Sequence, residues 1–348
     1  VWEGVAAYFP EDAGERARGV NLIEFVGDGA EAVEAALARL TATLDEAGTA
    51  HGRRGYTVAR GEAEVGRLWA MRKKAVGLLG NTKGDRRPIA FVEDTAVPPE
   101  HLADYIAAFR DALDRRGLEY GMFGHVDAGV LHVRPAIDMK APGAEALVRA
   151  VTEDVVALTR RYGGLLWGEH GKGVRSEFSP RFFGPLYPVL QAVKAAFDPR
   201  NQFNPGKIAA PEGAALLTVD GVPTKGQRDR AIPEEVRAGY DEALHCNGNG
   251  ACFSWDPDEA MCPSWKGTRE RRHSPKGRAQ LMREWLRRLA AEGRDPLEEA
   301  RRLRARPGWR AFPARLAATL RRRDDFSHEV HEAMAGCLAC KSCTGQCP

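Results

Sequence analysis

Apolar positions recur with two different periods along the first two hundred residues. Val20-Asn21-Leu22-Ile23-Glu24-Phe25-Val26 is rich in β-branched and aromatic residues and predicts a strand. Val33, Leu37, Leu40 and Leu44 then fall on one helical face. Gly55-Tyr56-Thr57-Val58-Ala59 and Ile89-Ala90-Phe91-Val92-Glu93 predict two more short strands. Pro98-Pro99 opens a helix in which Leu102, Ile106, Phe109 and Leu113 keep helical spacing, and Gly117 closes it. Two further strands are expected around Gly124-His125 and Val130-Leu131-His132-Val133, followed by helices over about 143–162 and 185–197. This order predicts an α+β fold, an antiparallel sheet with helices on one face.

Between residues 209 and 233 the chain is rich in Pro, Gly and Thr and loses its periodicity, which predicts a linker. Beyond it, helices alternate with cysteine-bearing loops, and Leu281, Trp285 and Leu289 form one core stripe. The expected division is a domain over 1–208, a linker over 209–240 and a mainly α-helical domain over 241–348. A chain of 348 residues is long enough for two cores. No apolar run is long enough to span a bilayer, and Val1-Trp2-Glu3-Gly4 has no signal pattern. The chain starts without Met and stops at Cys347-Pro348, inside a ligand motif, so sequence is expected to be missing at both ends.

Net charge is only +3, which excludes a polyelectrolyte binder. Basic residues do crowd the stretch from Lys266 to Arg323. Solvated helix faces account for them, because no helix-turn-helix, zinc-finger or stacking-aromatic pattern accompanies the charge. No nucleic-acid partner is expected.

All seven cysteines lie between Cys246 and Cys347. An odd number in tight groups points to metal ligation in a reducing, cytoplasmic setting rather than to disulfides. Cys337-x2-Cys340-x2-Cys343-x3-Cys347-Pro348 is the spacing of bacterial ferredoxins, which bind [4Fe-4S] clusters. A zinc site or free thiols are the alternatives. The upstream group, Cys246-x5-Cys252-x9-Cys262-Pro263, is irregular. In such pairs the Cys-Pro cysteine serves the other cluster. That gives the downstream cluster Cys337, Cys340, Cys343 and Cys262. The upstream one receives Cys246, Cys252 and Cys347 and lacks a fourth. A three-iron cluster, a non-cysteine ligand or a ligand beyond residue 348 would each close the set.

A second group of ligand types lies upstream. Gly124-His125-Val126-Asp127-Ala128-Gly129-Val130-Leu131-His132 sets two histidines around a tight reversal. Gly168-Glu169-His170-Gly171-Lys172-Gly173 then exposes Glu169 and His170 on a glycine-rich loop. Taken singly, each histidine reads as an ordinary core or surface residue. Together, two His and a carboxylate suit a divalent metal with an open position. Such an ion lowers the pKa of a bound hydroxyl, and a further histidine can take the proton.

Three segments occur in order: 124–135, 163–173, and Phe197-Asp198-Pro199-Arg200-Asn201-Gln202-Phe203-Asn204-Pro205-Gly206-Lys207. They resemble the C-terminal domain of vanillyl-alcohol-oxidase-type flavoproteins, in the D-lactate and D-2-hydroxyglutarate dehydrogenase branch. His245-Cys246-Asn247-Gly248-Asn249-Gly250-Ala251-Cys252, Ser274-Pro275-Lys276-Gly277-Arg278 and Ala333-Met334-Ala335-Gly336-Cys337 resemble members of that branch fused to a dicluster ferredoxin-like domain. The resemblance implies that His125, His132 and Glu169 hold a metal, commonly zinc, that His170 is the catalytic base, and that Asn204 contacts FAD. It places Arg72 where the family binds a substrate carboxylate; an exposed helix arginine is the plain alternative. It also implies an N-terminal domain supplying most FAD contacts, so that the chain alone lacks turnover. This sequence departs from the family's His-x-Gly-Asp-Gly-Asn-x-His loop, and Arg134 stands where many relatives have Asn. A second arginine there favours a diacid substrate.

The reading implied is oxidation of a D-2-hydroxy acid, D-2-hydroxyglutarate or D-lactate, by FAD. Electrons would pass to one or two [4Fe-4S] clusters and on to a quinone or soluble carrier. That chemistry is compatible with a homo-oligomer and with peripheral contact at the inner face of the membrane. The rival reading is a cluster-bearing electron-transfer subunit of a glycolate-oxidase-like complex, without catalysis of its own.

Overall fold

The computed structural model describes residues 19–79, 84–246, 250–305, 308–320 and 326–344. It comprises two compact units, one within residues 1–78 and one within 79–348. The first contains helices α1 (Ala30–Ala47) and α2 (Gly61–Leu79). Arg60 grips Glu34 through two hydrogen bonds of 3.0 and 3.1 Å, and Tyr56 donates to Asp45 at 3.0 Å. Residues 20–26 and 55–59, expected as strands, form none. Their β-branched content suits a half-buried pleated surface. A strand also needs a neighbour, and this unit has none among its described residues; Val20, Ile23 and Val26 stay exposed.

The second unit is built on a small antiparallel sheet. Its strands are β1 (Arg87–Pro88), β2 (Thr95–Ala96), β3 (Tyr120–His125) and β4 (Val130–Ile137). β4 is central. β3 pairs along one side of it, from Tyr120 opposite Pro135 to His125 opposite Val130. β1 and β2 share the other side, at Ile137–Ala136 and at Leu131–Val130 respectively. Residues 89–93, expected as a strand, lie between β1 and β2 and belong to neither. Ile89 and Asp94 still donate to β4 carbonyls at 2.9 and 3.0 Å, but Asp94 has a left-handed φ of 73° that breaks the pleat.

Helices α3 (Leu102–Asp114) and α4 (Ala144–Arg161) close the core. Leu102, Phe109 and Leu113 of the expected stripe are buried, with Tyr105 between them. They meet Val148, Val151 and Val155 of α4 and Phe91, Leu131 and Val133 of the sheet layer. Each large side chain buried here contributes about 1.5–3 kcal/mol. The Tyr105 hydroxyl is satisfied inside, donating to Thr95 at 2.8 Å. Helix α5 (Tyr187–Phe197) follows.

The stretch expected to link two domains carries short helices at Gln227–Ala231 and Glu234–Gly239. Its Val219 joins the first core. Ile232 and Val236 join a second core with Leu244 and Leu286. Around that core and a third, cysteine-lined cluster lie α6 (Pro263–Thr268), α7 (Pro275–Ala291) and α8 (Ser327–Ala335). Trp285 packs at the edge of the second core, and Leu289 is buried. Among the described residues, no helix is long and apolar enough to cross a membrane.

Candidate active site and metal centre

The β3–β4 hairpin delivers two imidazoles to one face of the sheet. Paired residues share a face, and His125 and His132 stand diagonally across the ladder. Their ring centroids are 5.7 Å apart, edge to face. The turn between them depends on Gly129, whose φ is +65°. A Cβ there would lie 1.8 Å from the Val97 carbonyl oxygen, so a side chain would push the hairpin off its neighbour.

Glu169 and His170 arrive from the loop after α4. The buried Asp94 carboxylate accepts from the Glu169 and His170 amides, both at 2.8 Å. Gly168 donates to the Asp94 carbonyl at 2.9 Å. Arg175, 1% exposed, ties the same two segments together. It donates to the Phe91 carbonyl at 2.7 Å, to the Glu93 carbonyl at 2.8 Å and to the Leu166 carbonyl. Burial pushes its guanidinium down to about 10, still charged at neutral pH.

The result is a compact ligand set. Glu169 Oε1 lies 3.1 Å from His125 Nε2 and 3.7 Å from His132 Nε2, and its Oε2 lies 3.4 Å from His170 Nε2. Ligand atoms of His125, His132 and Glu169 all fall within 4.8 Å of one another, as do those of Asp94, His132 and His170. His132 is 2% exposed, and its buried Nδ1 has no hydrogen-bond partner among the described residues. Burial also holds its pKa below the ordinary value, which keeps the imidazole neutral with a lone pair to give. An orphaned buried nitrogen beside converging nitrogen and oxygen donors fits a divalent cation.

Arg134 lies two residues beyond His132 on the same face. Its fork meets the buried Glu93 carboxylate at 2.6 and 3.2 Å, and Lys172 reaches the same carboxylate at 3.0 Å. Burial raises the Glu93 pKa, but Arg134 and Lys172 outweigh it and hold the carboxyl below its ordinary value. Arg72 is in the other unit, exposed on α2 with its guanidinium 5.2 Å from the Trp69 ring. Asn204 is exposed in a left-handed conformation, its Oδ1 accepting from Lys207 at 3.2 Å. The loop it belongs to packs on the glycine-rich loop: a Cβ on Gly173 would sit 2.8 Å from Lys207 Cβ.

Sequence reading missed Glu93, Asp94, Lys172 and Arg175. A signal was present. Glu93-Asp94 interrupts the apolar stretch from Ile89 to Val97, and charges inside such a stretch are rarely buried without partners.

The cysteines are more dispersed. Cys252 and Cys262 are buried with Met261 and Trp265, and Cys343 packs against that cluster. Arg278, 7% exposed, joins the two cysteine segments. It donates to Ala333 O at 2.7 Å and to Ser264 Oγ at 3.0 Å, and its Nη1 is 3.8 Å from Cys262 Sγ. Ser264 donates in turn to Gly336 O at 2.7 Å. Cys246 is half-buried, and Cys337 and Cys340 are exposed. Burial pushes the Cys252 thiol up, whereas hydrogen bonding from Ser342 holds Cys340 below its ordinary value. Cys347 lies outside the described residues.

A family model for the C-terminal domain of FAD linked oxidases matches residues 5–208. The chain is 58% identical over its whole length to D-2-hydroxyglutarate dehydrogenase of Pseudomonas putida and 53% identical to the protein of that name from Escherichia coli. It covers 35% of each, so it spans about a third of the length of the curated relatives it matches. Over 47% of the chain it is 28% identical to glycolate oxidase subunit GlcD of Bacillus subtilis, covering 34% of that protein.

Proposed function

The chain belongs to the FAD-linked oxidases through their C-terminal domain, and from that premise we propose that it serves the flavin-dependent oxidation of D-2-hydroxyglutarate to 2-oxoglutarate. The observation that carries this reading is the His125–His132–Glu169–His170 constellation, within a chain 58% identical throughout to a relative named for that oxidation. A divalent cation held by His125, His132 and Glu169, of which zinc is the expected identity, would lower the pKa of the substrate's 2-hydroxyl, and FAD would take the hydride.

The chain's own residues do the rest. His170 Nε2, 3.4 Å from Glu169 Oε2, takes the hydroxyl proton, and its place is set by the amide that Asp94 holds. Arg134 orients a carboxylate by charge-assisted hydrogen bonds, and Arg72 stays a carboxylate-binding candidate on the family's pattern alone. Glu93 keeps Arg134 extended beside the histidines. Asn204 contacts the flavin, on a loop packed against the one carrying Glu169 and His170.

The cysteine region receives the electrons in this proposal. Cys337, Cys340, Cys343 and Cys262 bind one [4Fe-4S] cluster. Cys246, Cys252 and Cys347 contribute to a second. The Arg278 bridge between the segment of Cys262 and that leading to Cys337 supports that grouping, and Cys343 packs on the cluster that holds both Cys252 and Cys262. The proposed division is 1–208 for substrate and metal, 209–240 between, and 241–348 for the clusters. A quinone or soluble carrier at the cytoplasmic side is the proposed acceptor.

The test uses protein that includes the FAD-contacting domain implied by the family. His170→Ala is expected to lower kcat with D-2-hydroxyglutarate by about 10²–10⁴-fold with flavin, iron and the divalent ion retained. Unchanged oxidation would refute the base assignment and favour the electron-transfer-subunit reading. Anaerobic iron and sulfide analysis is expected to give about eight irons per chain, two cubanes.

A further inference from the structure

A separate cavity lies at the other end of β4. Ile137 and Met139 form part of its wall, and residues 225–245 with Arg283 form much of the rest. Its volume is about 40 Å³. A cavity needs roughly 10–15 Å³ to admit a water, so this one has room for a small polar group. At about 3.4 Å per residue, Ile137 is about 17 Å along β4 from His132. The cavity therefore does not belong to the hydroxyacid site.

Its charge is unbalanced. Arg87, Lys140, Lys225, Arg237 and Arg283 line it. Three carboxylates oppose them, and each already has a partner. Asp85 holds Lys140 at 2.8 Å. Asp229 holds Arg283, and also Arg287 at 2.8 Å. Asp241 faces His245 at 3.1 Å. Among the described residues, Lys225 and Arg237 instead donate to main-chain carbonyls, of Cys246 and Asp229. Burial holds the half-buried Lys225 ammonium below its ordinary value; the Cys246 thiol opposes this, and Arg87, Arg283 and Lys276 add to it. Five cationic side chains against three carboxylates around one small space leave an excess of positive charge, an arrangement suited to an anion.

We propose that this cavity binds a small multivalent oxyanion, either phosphate or the carboxylate of a di- or tricarboxylate, on Lys225 and Arg237. Such an anion would join the sheet's far edge to the segment that carries Cys246, because Lys225 already holds the Cys246 carbonyl. The site is independent of the proposed oxidation.

Thermal unfolding of the 348-residue chain tests it, comparing sodium phosphate, sodium succinate and sodium chloride at equal ionic strength. Phosphate or succinate at about 10 mM is expected to raise Tm by about 3 °C over chloride. A response to phosphate alone assigns phosphate, and one to succinate alone assigns a carboxylate. Lys225→Gln and Arg237→Gln are each expected to abolish the shift, while Lys225→Arg keeps it. Equal responses to all three salts, or an undiminished shift in both glutamine variants, overturns the proposal. Neither flavin nor turnover enters the measurement, so its failure leaves the oxidation reading untouched.

Discussion

The histidine–glutamate site and the cysteine region are held in opposite ways. His125 and His132 hang from paired strands, and the loop bearing Glu169 and His170 is gripped through its amides by Asp94 and braced by Arg175. The six described cysteines sit instead on loops, turns and one short helical turn, and two of them are exposed. Ala339 and Lys341, between and beside the last three, have left-handed φ values of 50° and 59°. A site for one divalent cation can be laid down by the sheet and its buried hydrogen bonds before the ion arrives. If the proposed clusters form there, several thiolates gathered without iron would repel one another, and folding would be coupled to loading.

That contrast breaks most readily at Arg175. Replacing it by Met would leave the Phe91, Glu93 and Leu166 carbonyls without their donor inside the core. The expected loss is about 3–5 kcal/mol by urea denaturation. Arg278→Met in the cysteine region removes fewer buried partners, Ala333 O and Ser264 Oγ, and is expected to cost about 2–3 kcal/mol. An equal or larger loss at Arg278 would mean that the cysteine region is as rigidly braced as the first site. Next in size comes Asp94→Ala. It leaves all three proposed ligands in place but frees the loop, and is expected to weaken divalent-ion affinity by about 10–100-fold in calorimetric titration. Wild-type affinity in this variant would show that hairpin and ligands alone suffice.

The same contrast explains what was legible in the sequence. The candidate ligands are nameable from sequence because each set is local: two histidines around one turn, Glu169-His170 between glycines, cysteines at fixed spacing. The braces are not, because they act across long separations; Asp94 reaches Glu169 from 75 residues upstream. Helix stripes such as Leu102–Phe109–Leu113 were legible since burial and periodicity coincide. The strands expected over 20–26 and 55–59 were misread because composition describes a surface and not its neighbour. The strand expected over 89–93 is displaced: pairing with β4 falls on the flanking residues 87–88 and 95–96. Asp94, the second of the two acids that end its apolar run, breaks the backbone with a left-handed φ and holds the amide of His170.

The smallest predicted effect concerns a loop held in a third way, by one carboxylate. Asp198 ends α5, and its oxygens accept from the Gln202 and Phe203 amides at 2.9 Å each and from Lys194 Nζ at 2.6 Å. The Lys194 hydrogen bond, helped by the two amides, pulls its pKa from the ordinary 3.8 to about 2. A depressed carboxyl pKa stabilises the fold above the unfolded-state value, and the contribution fades as pH falls from about 3.8 through about 2. Amide exchange at Gln202 and Phe203 is therefore expected to accelerate across that window, ahead of global unfolding. Asp198→Asn should flatten the acid dependence by removing the titrating charge. If the two amides keep their protection down to pH 2, the loop before Asn204 is held by the packing of Gly206 and Lys207 rather than by Asp198. Its geometry would then belong with the sheet-built site, not with the loops of the cysteine region.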